Sequence, residues 1–166
     1  MQNKNNNEKL TIKEKLGYGL GDTASNIVFQ MVANFMLIFY TDVYGLSAAA
    51  AGTLLLAVRL FDGFTDPIMG GIADRTRSRW GSYRPYLLFL AIPYGVFAVL
   101  AFITPDFDST GKLIYAYITY GLLMTCYTAI NIPYGALGAV MATEPKERTS
   151  LQSYRFAMAM AALVVI

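Results

Sequence analysis

An all-α membrane protein is the fold class this sequence predicts, and three observations carry it. Of 166 residues, 55% are hydrophobic and 14% charged, with a mean hydropathy of +0.43, against about 25% charged residues in an average soluble domain. The apolar residues gather in four runs, each reaching the ~20 residues that a helix needs to cross the hydrocarbon core. The basic residues fall in alternate connections, as they do when Lys and Arg stay on the cytoplasmic side. The same composition narrows function. A net charge of +2 is too small to suggest nucleic acid. With no histidine, the usual imidazole ligand and general base are missing, so no metal or cofactor is expected and an enzyme reading starts at a disadvantage. The single cysteine, Cys126, cannot form an internal disulfide and is expected to pack as a small side chain.

Residues 1–16 read as a polar cytoplasmic tail, with Asn3, Asn5, Asn6 and Asn7 among Lys4, Lys9, Lys13 and Lys15 and no apolar stretch leading to a cleavage site. Span one covers residues 18–40 and opens on Gly17, Gly19 and Gly21. In it Asp22, Asn26, Gln30 and Asn34 recur every four residues, drifting about 40° per step around a helix. Lipid cannot satisfy these groups, so the stripe faces either a neighbouring helix or a polar cavity, the cavity being favoured.

Span two covers residues 48–72 and carries the most informative stretch, Arg59-Leu60-Phe61-Asp62-Gly63-Phe64-Thr65-Asp66-Pro67. Arg59, Asp62 and Asp66 are three and four residues apart and share one helix face. At mid-membrane each charge costs roughly 2.5–3.5 kcal/mol, so a charge kept there faces a protein interior or a water-filled path. One alternative is an Arg–Asp pair that pins two helices; the second carboxylate counts against it, since one arginine neutralises only one. Gly63, Gly70 and Gly71 lie beside this face, where small residues let helices approach.

Span three covers residues 86–104 and span four residues 113–142. In span four Tyr120, Tyr127, Asn131 and Tyr134 lie seven, four and three apart on one face, which suits either packing or contact with a hydroxylated ligand. Pro133 removes a backbone donor there and can free a carbonyl. Beyond Arg155 the run 156–166 is too short to cross, so residues 17–166 are expected to be an incomplete N-terminal transmembrane bundle, four spans and the start of a fifth, of a larger transporter. The tail, the loop with Arg75, Arg77, Arg79 and Arg84, and the loop with Lys146 and Arg148 place the N-terminus in the cytoplasm. Trp80, Tyr83 and Tyr86 flank the basic loop as interfacial anchors.

Three blocks carry a resemblance: GYGLGDTASN at residues 17–26, RLFDGFTDPIMGGIADRTRSRWGSYRPY at 59–86, and NIPYGAL at 131–137. They resemble the glycoside-pentoside-hexuronide:cation symporters of the major facilitator superfamily. The resemblance implies a twelve-helix transporter whose coupling-cation site has Asp62 and Asp66 at its core, with Arg59 and the oxygens of Thr65 and Thr128. It implies substrate contacts from Ser25, Asn26, Tyr127, Asn131 and Arg155, and a gating role for the loop Asp74, Arg75, Arg77 and Arg79 on top of anchoring. At Asn26 and Asn131 the family pattern has acidic residues, and Gly135 stands where a tryptophan lies against a galactoside, so the substrate is left open.

The expected function is cation-coupled symport of a glycoside, pentoside or hexuronide across the plasma membrane by alternating access. Two carboxylates four residues apart disfavour double ionisation, and Asn131 removes a charge that would offset sodium dehydration; H+ is therefore favoured over Na+. The alternatives are a symporter of an amphiphilic lipid, a membrane hydrolase using the Asp62/Asp66 pair, and a sensor that binds sugar without moving it. Partners implied are a small sugar, the lipid bilayer and the remainder of the transporter.

Overall fold

The computed structural model describes residues 10–77, 79, 81 and 83–163. Helix α1 (Ile12–Ile38) starts at a capping box: the Glu14 amide donates to Thr11 Oγ1 at 3.3 Å, and the Thr11 amide donates to Glu14 Oε2 at 2.8 Å. Two orphan donors are thereby satisfied. The helix takes in residues 12–16, which the polar composition had assigned to the tail, and Lys15 is buried on it. It runs into a π-helical turn, Phe39–Val43, and the chain reverses at Gly45, whose φ of +82° suits glycine.

Ser47 caps α2 (Ala48–Arg75), its hydroxyl accepting from the Ala50 amide at 3.2 Å. Helix α3 (Arg84–Ala101) opens with a proline in its first turn, where the missing amide costs nothing. Asp108 caps α4 (Ser109–Met141) through the Gly111 amide at 3.1 Å. The Arg148 guanidinium reaches the last carbonyls of α4, donating to Ala142 at 3.4 Å and Ala139 at 3.3 Å, a favourable place for a cation. Helix α5 (Pro145–Leu163) begins well before the apolar run expected at 156.

Helix α4 is the hub. It lies against α2 and α3, while α1 lies chiefly against α5. One core joins Val32 and Met36 of α1 and Tyr40 of the π-helical turn to Leu54 and Val58 of α2, Tyr94 of α3, and Tyr120 and Leu123 of α4. A second cluster holds Tyr18, Tyr134, Ala142 and Leu151. Within it the Tyr18 and Tyr134 rings stack at 4.6 Å. Each hydroxyl donates to the other residue's backbone carbonyl, Tyr18 to Tyr134 at 3.2 Å and Tyr134 to Tyr18 in return.

The clamp needs glycine beneath it. A Cβ on Gly21 would meet Tyr134 Oη at 2.8 Å, and one on Gly138 would meet the Tyr18 hydroxyl. Close approach thus explains Gly21, and Gly19 beside Met158, whereas Gly17, Gly63 and Gly71 have nothing within 4 Å among the described residues. Cys126 is buried, as its apolar run implied. Among the described residues four helices are long and apolar enough to cross a membrane: α1 with its π-turn, α2, α3 and α4. Their outward faces, such as Leu60, Phe64 and Ile68 on α2 and Leu88, Ile92 and Val99 on α3, are exposed.

Candidate functional site

Helix geometry brings Arg59, Asp62 and Asp66 to one side of α2, as their spacing predicts, and α4 meets that side. Thr128 Oγ1 donates to Asp66 Oδ1 at 3.0 Å, so a hydroxyl from a second helix marks the carboxylate position. Asp62 is 9% exposed, and its Oδ1 is buried with no hydrogen-bond partner among the described residues. An ionised oxygen in that state is costly, and a cation or proton would relieve it. Thr65 is bonded to its own helix, donating to the Asp62 carbonyl at 3.2 Å.

Arg59 departs from expectation. It forms no ion pair among the described residues, and its guanidinium sits 5.3 Å above the centre of the Phe29 ring. Among the described residues both carboxylates are therefore without a salt-bridge partner, which argues against an Arg–Asp pair whose task is to pin helices. Asp62 nonetheless stands within the electrostatic reach of both Arg59 and Asp66.

The polar stripe on α1 divides. Asp22 is buried, Asn26 and Gln30 are half-buried, and Asn34 is exposed. The Asn26 amide donates to the Asp22 carbonyl at 2.9 Å and the Asn34 amide to the Gln30 carbonyl at 2.9 Å, so both are spent on their own helix. Ser25 likewise donates to the Asp22 carbonyl at 3.0 Å, while its own carbonyl accepts from Tyr94 at 3.1 Å. A cavity of about 430 Å³ opens between α1, α3 and α4, lined by Gly21, Ala24, Ser25, Val28, Tyr94 and Ile130 among others. Of the expected binding residues only Ser25 borders it, and its walls are mostly apolar, so it is not the polar cavity the stripe suggested.

The tyrosine face of α4 divides too. Tyr120 packs edge-on to Tyr40 at 6.5 Å in the core and Tyr134 belongs to the clamp, which corrects any shared ligand role for the four residues. Tyr127 and Asn131 stay together, the Asn131 amide donating to Tyr127 Oη at 2.9 Å. Tyr127 stacks on Phe29 at 4.4 Å and lies 6.2 Å from Tyr94. Its chain neighbour Thr128 bonds Asp66 and its stacking partner Phe29 lies under Arg59, so the two halves of the expected site adjoin.

Arg155 lies in the middle of α5 (Pro145–Leu163), and its Nε donates to Asp22 Oδ2 at 2.9 Å. The side chains are 22% and 3% exposed. Asp22 Oδ1 is buried without a partner among the described residues. Asp22 as the arginine's counter-ion went unforeseen; its burial one turn before Asn26 was visible only as part of the stripe. Phe29 carried no signal, being one apolar residue among many. A second ion pair joins the same helices, Lys15 Nζ to Glu147 Oε2 at 2.9 Å, with Lys15 also donating to Ser150 Oγ at 2.9 Å.

In the basic connection, Tyr83 Oη donates to Asp74 Oδ1 at 3.1 Å, and the Thr76 and Tyr86 hydroxyls share a hydrogen bond. Tyr83 and Tyr86, expected as interfacial anchors, also tie this loop to α2. Arg75, Arg77 and Arg79 are exposed. Trp80 lies outside the described residues, as do Asn3, Lys4, Asn5, Asn6, Asn7 and Lys9.

A family model described as MFS/sugar transport protein matches residues 17–166. The chain is 54% identical over 154 residues to "Inner membrane symporter YicJ" of Escherichia coli (strain K12), covering 93% of this chain and 34% of that protein. It is 46% identical over 150 residues to "Glucuronide carrier protein homolog" of the same organism, covering 90% and 33%. It is 42% identical over 142 residues to "Isoprimeverose transporter" of Lactiplantibacillus pentosus, covering 86% and 30%. The chain spans about a third of the length of these curated relatives.

Proposed function

The chain belongs to the family of MFS/sugar transport proteins, and from that premise we propose that it is part of a cation-coupled symporter of a glycoside, pentoside or hexuronide, with H+ as the coupling ion. It is a multi-pass membrane protein, and the family and relatives are named for transport, which removes the membrane hydrolase. The observation that carries the coupling role is the α2–α4 contact. Two carboxylates stand in a membrane helix, one bonded to the Thr128 hydroxyl and the other with a buried, unpartnered oxygen. Neither has an arginine bound to it among the described residues.

Asp62 and Asp66 hold the ion, with Thr128 and Thr65 as neighbouring oxygens. Tyr127, Asn131, Ser25, Asn26 and the terminal nitrogens of Arg155 face the sugar once it displaces their local bonds. Occupancy by a cation neutralises one carboxylate and permits a conformation that the charged empty site resists. The N-terminus is cytoplasmic, and the loop Asp74, Arg75, Arg77 and Arg79 gates on that side. Relatives named for a glucuronide and for isoprimeverose support the sugar class.

The test is counterflow of labelled disaccharide glycosides, methyl pentosides and methyl glucuronides in vesicles holding the full-length protein. It is run beside Asp66→Asn, which should keep membrane abundance and exchange while losing accumulation against a gradient. No counterflow with any of these sugars rejects the substrate class. Normal accumulation by Asp66→Asn rejects the coupling role.

A further inference from the structure

Arg59 stands next to two carboxylates in a membrane helix yet pairs with neither; its guanidinium lies over Phe29 at 5.3 Å. Phe29 in turn stacks on Tyr127 at 4.4 Å with an interplanar angle of 13°. Tyr127 accepts from Asn131, and its chain neighbour Thr128 donates to Asp66. One ring on α1 is thus shared by the arginine of the cation site and the tyrosine of the sugar site. We propose that Phe29 is the positioning residue that couples the two sites, parking Arg59 clear of Asp62 and Asp66 while Tyr127 is free to engage sugar.

A guanidinium is attracted both to an aromatic face and to a carboxylate, and the carboxylate is the stronger partner at contact distance. If Arg59 collapsed onto Asp62 or Asp66, an incoming cation would have to displace a bound positive charge. Over the ring, Arg59 is held while both carboxylates stay open. The same ring is also in contact with Tyr127, so a sugar that shifts Tyr127 changes the hold on Arg59. By linkage, a cation that changes the field around Arg59 changes the sugar site by the same factor. The reading of Asp62, Asp66 and Tyr127 as cation and sugar residues is the premise here.

The experiment measures equilibrium binding of labelled methyl pentoside and methyl glucuronide to full-length protein in membranes, from acidic to alkaline buffer, with and without sodium. The variants are Phe29→Leu, Phe29→Met and Phe29→Tyr. In the unaltered protein, the effective cation should tighten sugar binding on the order of tenfold. Loss of the ring in Phe29→Leu and Phe29→Met should reduce that factor below about twofold while the variants keep their membrane abundance, and Phe29→Tyr should restore it. Equal cation responses in the unaltered protein and both ring-less variants overturn the inference and leave symport standing. If both ring-less variants vanish from the membrane, Phe29 is a packing residue and the inference falls. An unaltered protein whose sugar affinity ignores every cation overturns the symport reading and the inference with it.

Discussion

The Asp22–Arg155 pair predicts an asymmetric response to mutation. Its two side chains are 3% and 22% exposed and meet at 2.9 Å. In Arg155→Met the Asp22 carboxylate stays buried with both oxygens unpartnered, and leaving one member of a buried pair costs about 3–5 kcal/mol. Asp22→Asn leaves the charge on the more exposed partner and still presents it with an amide oxygen. Its cost should be closer to that of one charge-assisted hydrogen bond, about 1.5–3 kcal/mol. The double variant Asp22→Asn/Arg155→Met removes both charges and should cost less than the sum of the singles, by about 0.5–3 kcal/mol. The assay heats detergent-solubilised full-length variants in steps and measures the folded fraction by size-exclusion profile. Asp22→Asn falling as far as Arg155→Met, or strictly additive losses, would refute a load-sharing buried pair.

Three further outcomes follow from the geometry. Gly21→Ala places a methyl 2.8 Å from Tyr134 Oη and should destabilise the fold by about 1–3 kcal/mol; Gly63→Ala, with nothing within 4 Å among the described residues, should cost less than Gly21→Ala in the same full-length sample. Single cysteines replacing Arg79 and Asp106, in a Cys126→Ala background, should be labelled from opposite faces of intact cells, and labelling of both from outside would reverse the proposed orientation. Asn131→Asp should increase any sodium stimulation of uptake, by restoring a charge that offsets dehydration; an unchanged sodium response would remove Asn131 from the neighbourhood of the ion.

Hydropathy made α1 to α4 legible because each buries or exposes apolar surface along its whole length. It missed the first half of α5, where Lys146, Glu147, Arg148, Gln152 and Ser153 mask a helix that tertiary pairing with α1 stabilises. The start of α1 was hidden for the same reason: Lys15 looks like a solvent residue until Glu147 and Ser150 arrive beside it. Spacing within one helix placed Arg59, Asp62 and Asp66 together, since that relation is intrahelical. Which group each one touches is a relation between helices, and no periodicity encodes it. Hence Arg59 over Phe29, and Arg155 on Asp22, had to be seen. Amides at Asn26 and Asn34 satisfied themselves on their own carbonyls, an option that side-chain spacing does not reveal.

The two ion pairs between α1 and α5 have crossed polarity: α1 presents Lys15 and then Asp22, while α5 presents Glu147 and then Arg155. The rungs are seven residues apart on one helix and eight on the other, so they increase together, as parallel helices require. Hydrocarbon supplies little force to choose how far one apolar helix slides along another. Here a slip by one rung in one direction sets Asp22 against Glu147, and in the other sets Lys15 against Arg155. Each misalignment brings like charges together, so during assembly in the bilayer the native register is the one in which both helices can dock.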